Sequence, residues 1–269
     1  FLKLVAAADV LLESFSPGHL ASLGLGDEVL FQANPSLILA SVTSFGQTGP
    51  HRDFYGSDIV AWAMGGVMSL TGDPAREPLT AGANQAYQVA SIWSTIGILA
   101  ALIRRGATGQ RARLDISAQE AVVDMSETAH SYYLYEGTNI VRNKSDHPLV
   151  CPFRNVKTTD GYAFVGAATQ KQWSTLVEWM AETTSVETVT DPRLNSMPER
   201  IKHRDRVNAV VVEWARHLTG QEVFIGGAER GIPNAPIRRM SEVVSDEHRS
   251  SDLSETRRCG PGRFRPSES

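Results

Sequence analysis

SVTSFGQTGP at residues 41–50 is followed by GGVMSLTGDP at 65–74, an apolar run ending ILAALIRRGATGQ at 98–110, and RLDIS at 113–117. Just upstream, SLILASV at 36–42 follows Asn34-Pro35 and is apolar on both faces, the pattern of a strand in a parallel sheet covered by helices. ADVLLE at 8–13 has the same character. Between the two, 18–33 carries Leu20, Leu23, Val29 and Leu30 at helical spacing, interrupted at Gly24 to Gly26. Strand, helix, strand predicts a βαβ unit. FGQTGP at 45–50 then leaves the second strand at its carboxyl end, where open α/β sheets place their ligands.

Downstream, 58–68 reads as a helix and TGDP at 71–74 as a turn. The longest predicted helix is 85–105, nearly apolar all round and closed by Gly106, a pattern that belongs at the centre of a core. A short strand at 113–116 and a helix at 118–135 follow. From about His147 the character changes. Asp160-Gly161 between FRNVKTT and YAFVGAA predicts a hairpin, and helices are expected over 172–182, 203–218 and 221–230, the last ended by Gly231-Ile232-Pro233. The expected fold class is α/β, with a large domain over 1–145, a smaller α+β domain over 146–246 and an irregular tail over 247–269. That tail is rich in Ser, Arg, Gly and Pro and lacks hydrophobic periodicity, a composition that cannot bury a core.

At 269 residues, 42% hydrophobic and 21% charged, the chain fits a soluble globular protein of one large or two modest domains. A net charge of −4 and arginine pairs scattered at 104–105, 238–239 and 257–258 argue against a nucleic-acid partner. Cys151 and Cys259 stand far apart, so neither a disulfide framework nor a zinc site is expected, and a reduced, cytoplasmic setting fits. The apolar run 89–103 is broken by Ser91, Ser94, Thr95 and Gly97 and is shorter than the roughly 20 residues of a bilayer span. It predicts a buried helix and no membrane partner. The chain opens at Phe1 without a starting Met, inside an amphipathic pattern and with no basic leader, so it reads as a fragment.

Among chemistry-bearing residues, His51, His130, His147, His203, His217 and His248 lack the spacing of a metal-binding helix, and no metal is expected. Ser44-Phe45-Gly46 lacks the G-x-S-x-G frame of a nucleophile elbow. Gly65-Gly66 brings backbone close either to a ligand or to packed neighbours. Asp115 is expected to cap the following helix, and Tyr132, Tyr133 and Tyr135 to pack.

These parts in this order resemble family III CoA-transferases, the group that includes formyl-CoA transferase, carnitine CoA-transferase and the 2-methylacyl-CoA racemases. The resemblance is carried by ADVLLESFSPGHLASLGL (8–25), NPSLILASVTSFGQTGP (34–50), GSDIVAWAMGGVMSLTGDP (56–74) and GILAALIRRGATGQ (97–110). TTDGYAFV (158–165), DPRLNS (191–196) and GIPNAPIRRMSEVVSD (231–246) extend it into the second domain.

The resemblance implies a Rossmann-like large domain, incomplete here at its N-terminal strands, and two chains threaded through each other. It also implies coenzyme A as the moiety transferred, an acyl-CoA and a small carboxylic acid as substrates, and a homodimer or a heterodimer with an Asp-bearing homologue. In the family an aspartate attacks the thioester to give a mixed anhydride, then passes through an aspartyl-CoA thioester. That aspartate lies ten residues before the glycine of GILAAL, where this chain has Tyr87, and 81–105 contains no Asp or Glu. A phenol gives an ester, not the anhydride that makes exchange between acids nearly isoenergetic. The racemase branch also needs a histidine where Ser57 stands.

On the helix after the PG turn Ser22 replaces a basic residue, leaving Phe15, His19 and Leu23 as candidate nucleotide contacts. The leading expectation is therefore a CoA-transferase homologue acting on an acyl-CoA and a carboxylic acid. The alternatives are a non-catalytic subunit partnered by an Asp-bearing chain, and a different acyl-CoA enzyme using Tyr87 as an acid.

Overall fold

The computed structural model describes residues 1–126 and 128–246; the predicted tail at 247–269, with Cys259, lies outside the described residues. The chain divides into two compact units, Phe1–Lys144 and a second beginning at Ser145.

The first unit runs α1 (Leu2–Ala6), β1 (Val10–Glu13), α2 (His19–Ser22), α3 (Asp27–Ala33), β2 (Ile38–Thr43) and α4 (Asp58–Met64). A 3-10 turn (Val67–Leu70), α5 (Gln85–Thr108), β3 (Ala112–Ser117), α6 (Ala118–Asp124) and α7 (Ala129–Glu136) complete it. The strands form a parallel sheet in the order β1-β2-β3, with Val10 opposite Ile38 and Ile38 opposite Ala112. The central strand reads as an unbroken apolar run because both its faces are covered. Leu39 packs with Val5, Leu30 and Phe31, while its neighbour Ile38 turns to the other face and packs with Ala101 and Ala112.

α5 departs from expectation in two ways. It buries its small residues, Ala86, Ala90, Ser94 and Ala101, which let it lie close to β2, β3 and α6. Ile92, Trp93, Ile96, Leu99 and Ile103 face outward. A helix apolar all round does not say which face packs; here side-chain size decides, because only the small residues allow close approach. By length and composition the helix is apolar enough to cross a membrane. It also ends later than predicted: Gly106 lies inside it, and Gly109 in the left-handed region (φ 69°) caps it. Arg105 then ties this end to the sheet, donating to Asp9 Oδ1 at 2.6 Å and to the Ser36 carbonyl at 3.2 Å.

The helix expected over 118–135 is two helices, α6 and α7, and the tyrosines on α7 do not pack as predicted: Tyr133 and Tyr135 are exposed. The expected helix 58–68 stops at Gly65, and Gly66 takes φ 84° to start the 3-10 turn. Gly65 serves packing, since a Cβ there would overlap the Val122 side chain of α6.

The second unit pairs β4 (Phe153–Lys157), β5 (Tyr162–Gly166) and β6 (Ala235–Pro236) antiparallel. Its helices are α8 (Gln170–Ala181), α9 (Met197–Lys202), α10 (Arg204–Ala215), α11 (Gly220–Glu229) and α12 (Met240–Val244). Trp173, Leu176, Met180, Val211 and Trp214 fill its core. Capping boxes at Thr169–Gln172 and Thr219–Glu222 start α8 and α11.

Asp191, before the short 3-10 turn Pro192–Asn195, accepts hydrogen bonds from the Arg193 side chain and backbone N–H, which hold its carboxyl down at about 2. A carboxyl depressed in the folded state stabilises above its unfolded value of 3.8 and loses that contribution as pH falls toward 2. An NMR titration of the Asp191 carboxyl is expected to show this low midpoint, and Arg193→Ala to return it toward the ordinary range; an unshifted carboxyl in the unsubstituted protein contradicts the assignment.

Candidate active site

The three parallel strands all end on one side of the sheet, and at their carboxyl ends lies a cavity of about 790 Å³. Its walls come from the end of β1 with the loop 14–17, the end of β2 with residues from the loop 44–56, and one face of α5. Tyr87, Ser91, Ser94, Thr95 and Ile98 line it because they recur at helical spacing along that face. Two of these hydroxyls are satisfied within the helix: Ser91 Oγ donates to the Tyr87 carbonyl at 2.7 Å and Thr95 Oγ1 to the Ser91 carbonyl at 2.8 Å. Ser94, only 3% exposed, has a hydroxyl with no partner, and so does Thr43 at the end of β2. Buried polar groups are normally paired, and these two lining hydroxyls have no partner among the described residues.

The loop after β2 is held from β3. Both oxygens of Asp115 accept the Gln47 backbone N–H, at 3.0 and 2.9 Å, and the Gln119 N–H donates to the Ser44 carbonyl at 3.1 Å. This corrects the expectation that Asp115 caps the next helix. Ser117 caps α6, accepting from the Glu120 N–H, because Asp115 lies two residues earlier in the strand, beside the exit of β2. The loop brings Arg52 into the cavity wall, where it is the one cation among the lining residues. Arg52 Nε donates to the exposed carboxylate of Asp53 at 3.2 Å, a pairing weak enough in water to exchange for a ligand carboxylate.

The start of α5 is built with strain. Ala83 and Asn84 both take left-handed φ values, 66° and 51°, conformations that cost a non-glycine residue about 1 kcal/mol or more. Asn84 gives α5 no side-chain cap. The cap comes instead from α4: Asp58 Oδ1 accepts the Tyr87 N–H at 3.1 Å. An acid in the first turn of α4 reads locally as support for its own helix; its reach to α5 has no signal in sequence spacing.

Of the candidates drawn from sequence, Tyr87 and Phe15 line this cavity together. His19 packs its ring 5.0 Å from that of Phe15 and lines an adjoining cavity of about 300 Å³, which shares Glu13 and Ser16 with the first. Leu23 is 60% exposed and lines neither. Arg52, Thr43, Ser94 and Asp58 were not singled out by sequence. Ser94 had a signal, since the polar interruptions of the apolar run fall on one helical face. Among the described residues no group of three His, Cys, Asp or Glu is placed to hold a metal.

A sequence model of CoA-transferase family III matches residues 1–257. A succinyl-CoA–D-citramalate CoA-transferase from Chloroflexus aurantiacus is 34% identical over 247 residues, covering 91% of this chain and 61% of the relative. A succinyl-CoA–L-malate CoA-transferase alpha subunit from Chloroflexus aurantiacus is 34% identical over 253 residues, covering 92% and 58%. The crystal structure of a CaiB/BaiF family protein from Brucella suis superposes with a TM-score of 0.78 at 30% identity, over 93% of this chain and 65% of that one. The chain thus spans less than two thirds of the length of these relatives.

Proposed function

This chain belongs to CoA-transferase family III, and from that premise we propose that the protein exchanges coenzyme A between an acyl-CoA thioester and a carboxylic acid. The observation that carries the reading is the cavity at the carboxyl ends of β1, β2 and β3, with Arg52 in its wall and the unpartnered Ser94 and Thr43 hydroxyls lining it. Phe15 and Phe45 supply apolar wall for an extended thiol arm, and the adjoining cavity beside His19, sharing Glu13 and Ser16, continues the path. The Ser94 and Thr43 hydroxyls donate to the thioester or carboxylic oxygen, and Arg52 pairs with a carboxylate. Exchange between two acids is nearly balanced in free energy, so the site's task is to hold the activated acyl group away from water.

The substrates of the named relatives, together with a cation in this wall, support a dicarboxylic acyl group. In the test, full-length protein is incubated with succinyl-CoA and a panel of mono- and dicarboxylic acids. A new acyl-CoA detected by mass is expected with at least one dicarboxylic acid. Hydrolysis alone, or no consumption of succinyl-CoA, contradicts the proposal. Arg52→Gln is expected to raise KM for the acid about tenfold, one lost charge-assisted hydrogen bond, with a much smaller change in kcat; an unchanged KM removes Arg52 from the site.

Tyr87 at the family's aspartate position favours a second reading, a subunit partnered by an Asp-bearing chain. The alpha-subunit relative supports it. Co-purification of a homologous chain and loss of turnover on its removal would establish that form, whereas turnover by a homodimer would exclude it. Cytoplasmic residence is part of the proposal, supported by the two widely separated cysteines.

A further inference from the structure

We infer that Asp58 is the nucleophile, supplying the carboxylate that position 87 lacks; the inference rests on the CoA-transfer reading above. Acyl exchange through an anhydride needs a carboxylate, and 81–105 contains none. The fold returns one from another element. Asp58 Oδ1 is hydrogen-bonded at 3.1 Å to the backbone N–H of Tyr87, the very residue at which the family pattern places its acid. Its Oδ2 makes no hydrogen bond or ion pair among the described residues. The carboxylate is thus oriented by one oxygen, while the other is engaged by no hydrogen bond among the described residues.

Asp58 is not itself among the residues that line the 790 Å³ cavity, but three further observations bring that cavity to its side. Gly56, two residues before it, and Tyr87, bonded to it, both line the 790 Å³ cavity. The buried Ser94 hydroxyl, with no partner, lies two turns along the same face of α5 as Tyr87. The left-handed pair Ala83 and Asn84 fixes the start of a 24-residue helix whose dipole favours an anion at this end. Glu13 also lines the cavity, but its Oε2 closes the turn after β1, accepting the Phe15 N–H at 2.8 Å, and nothing ties it to position 87.

The steps balance without any further reactant. An Asp58 oxygen bonds to the thioester carbon, the C–S bond breaks and CoA leaves as thiolate, giving a mixed anhydride. The thiolate attacks Asp58 Cγ and expels the first acid, which carries away the bridging oxygen. The acceptor carboxylate attacks the aspartyl thioester and displaces the thiolate, which then attacks the acceptor acyl carbon. Asp58 is regenerated with one oxygen from the acceptor.

The test incubates full-length protein with succinyl-CoA and hydroxylamine, maps hydroxamate by peptide mass, and measures CoA binding by calorimetry in parallel. A hydroxamate at Asp58 is expected. Asp58→Asn keeps an oxygen to cap α5, so it should fold and bind CoA within about threefold while turnover falls at least about a thousandfold. An acceptor acid labelled with oxygen-18 should pass label to Asp58, a readout that no merely structural role produces. A hydroxamate at Glu13 or another carboxylate, or full turnover by Asp58→Asn, overturns the assignment and leaves CoA transfer standing. An adduct confined to a second, homologous chain overturns it in favour of the partner reading. Absence of CoA binding overturns both the assignment and the proposed function.

Discussion

Arg200→Ala is expected to destabilise the second unit by about 3–5 kcal/mol, measured as a loss in urea midpoint followed by tryptophan fluorescence. Arg200 is 1% exposed. Its guanidinium donates to the carbonyls of Cys151 at 2.7 Å, Leu194 at 2.8 Å and Asn195 at 3.1 Å, and lies 5.2 Å over the Trp173 ring. These bonds gather the segment before β4, the 3-10 turn Pro192–Asn195 and α9 around one planar group. Alanine leaves these carbonyls without that donor, each costing about 1–3 kcal/mol where burial keeps water out, and opens a void beside Trp173. Lysine keeps the charge but not the fork, so Arg200→Lys should recover a minor part of the loss. A cost below about 1 kcal/mol for the alanine variant would show that the carbonyls find other partners.

The second large effect is expected at the base of the proposed site. Gly65→Ala should cost about 1–3 kcal/mol through overpacking, because the added methyl would overlap Val122 and sit 3.0 Å from the Ala61 carbonyl oxygen. α4 and α6 meet there, and α4 carries Asp58 at its other end. The displaced helix should therefore also weaken the Asp58 to Tyr87 bond and lower turnover. Val122→Ala by itself removes buried apolar volume and is also destabilising. In the double variant the methyl at 65 moves into the space that Val122 gave up, so the two costs should be less than additive by 0.5 kcal/mol or more, a coupling of the size expected of residues in contact. Strict additivity would mean that Gly65 does not act through Val122.

Much of the α/β core was legible because burial leaves a direct mark on sequence. β2 is covered on both faces and reads as SLILASV; Asp160-Gly161 joins β4 to β5; Asn34-Pro35 stands before β2. α5 was legible as a helix but not as a surface. Ile92, Trp93, Ile96, Leu99 and Ile103 face outward while Ala86, Ala90 and Ala101 face in, the reverse of what hydrophobicity alone suggests. The site was legible in part. Tyr87 and Phe15 share a cavity, whereas Asp58 and Asp115 act across 29 and 68 residues of chain. A carboxylate at a helix start or strand end looks like local capping in sequence, and only the fold shows whose backbone it reaches.

The proposed place of CoA exchange is the cavity at the carboxyl ends of β1, β2 and β3. A crystal structure of the full-length protein with a bound acyl-CoA tests it most directly. The thioester is expected in the cavity walled by Phe15, Arg52 and Tyr87, its carbonyl oxygen in reach of the Ser94 or Thr43 hydroxyl. A thioester lying outside that cavity, with those hydroxyls still unpartnered, contradicts it.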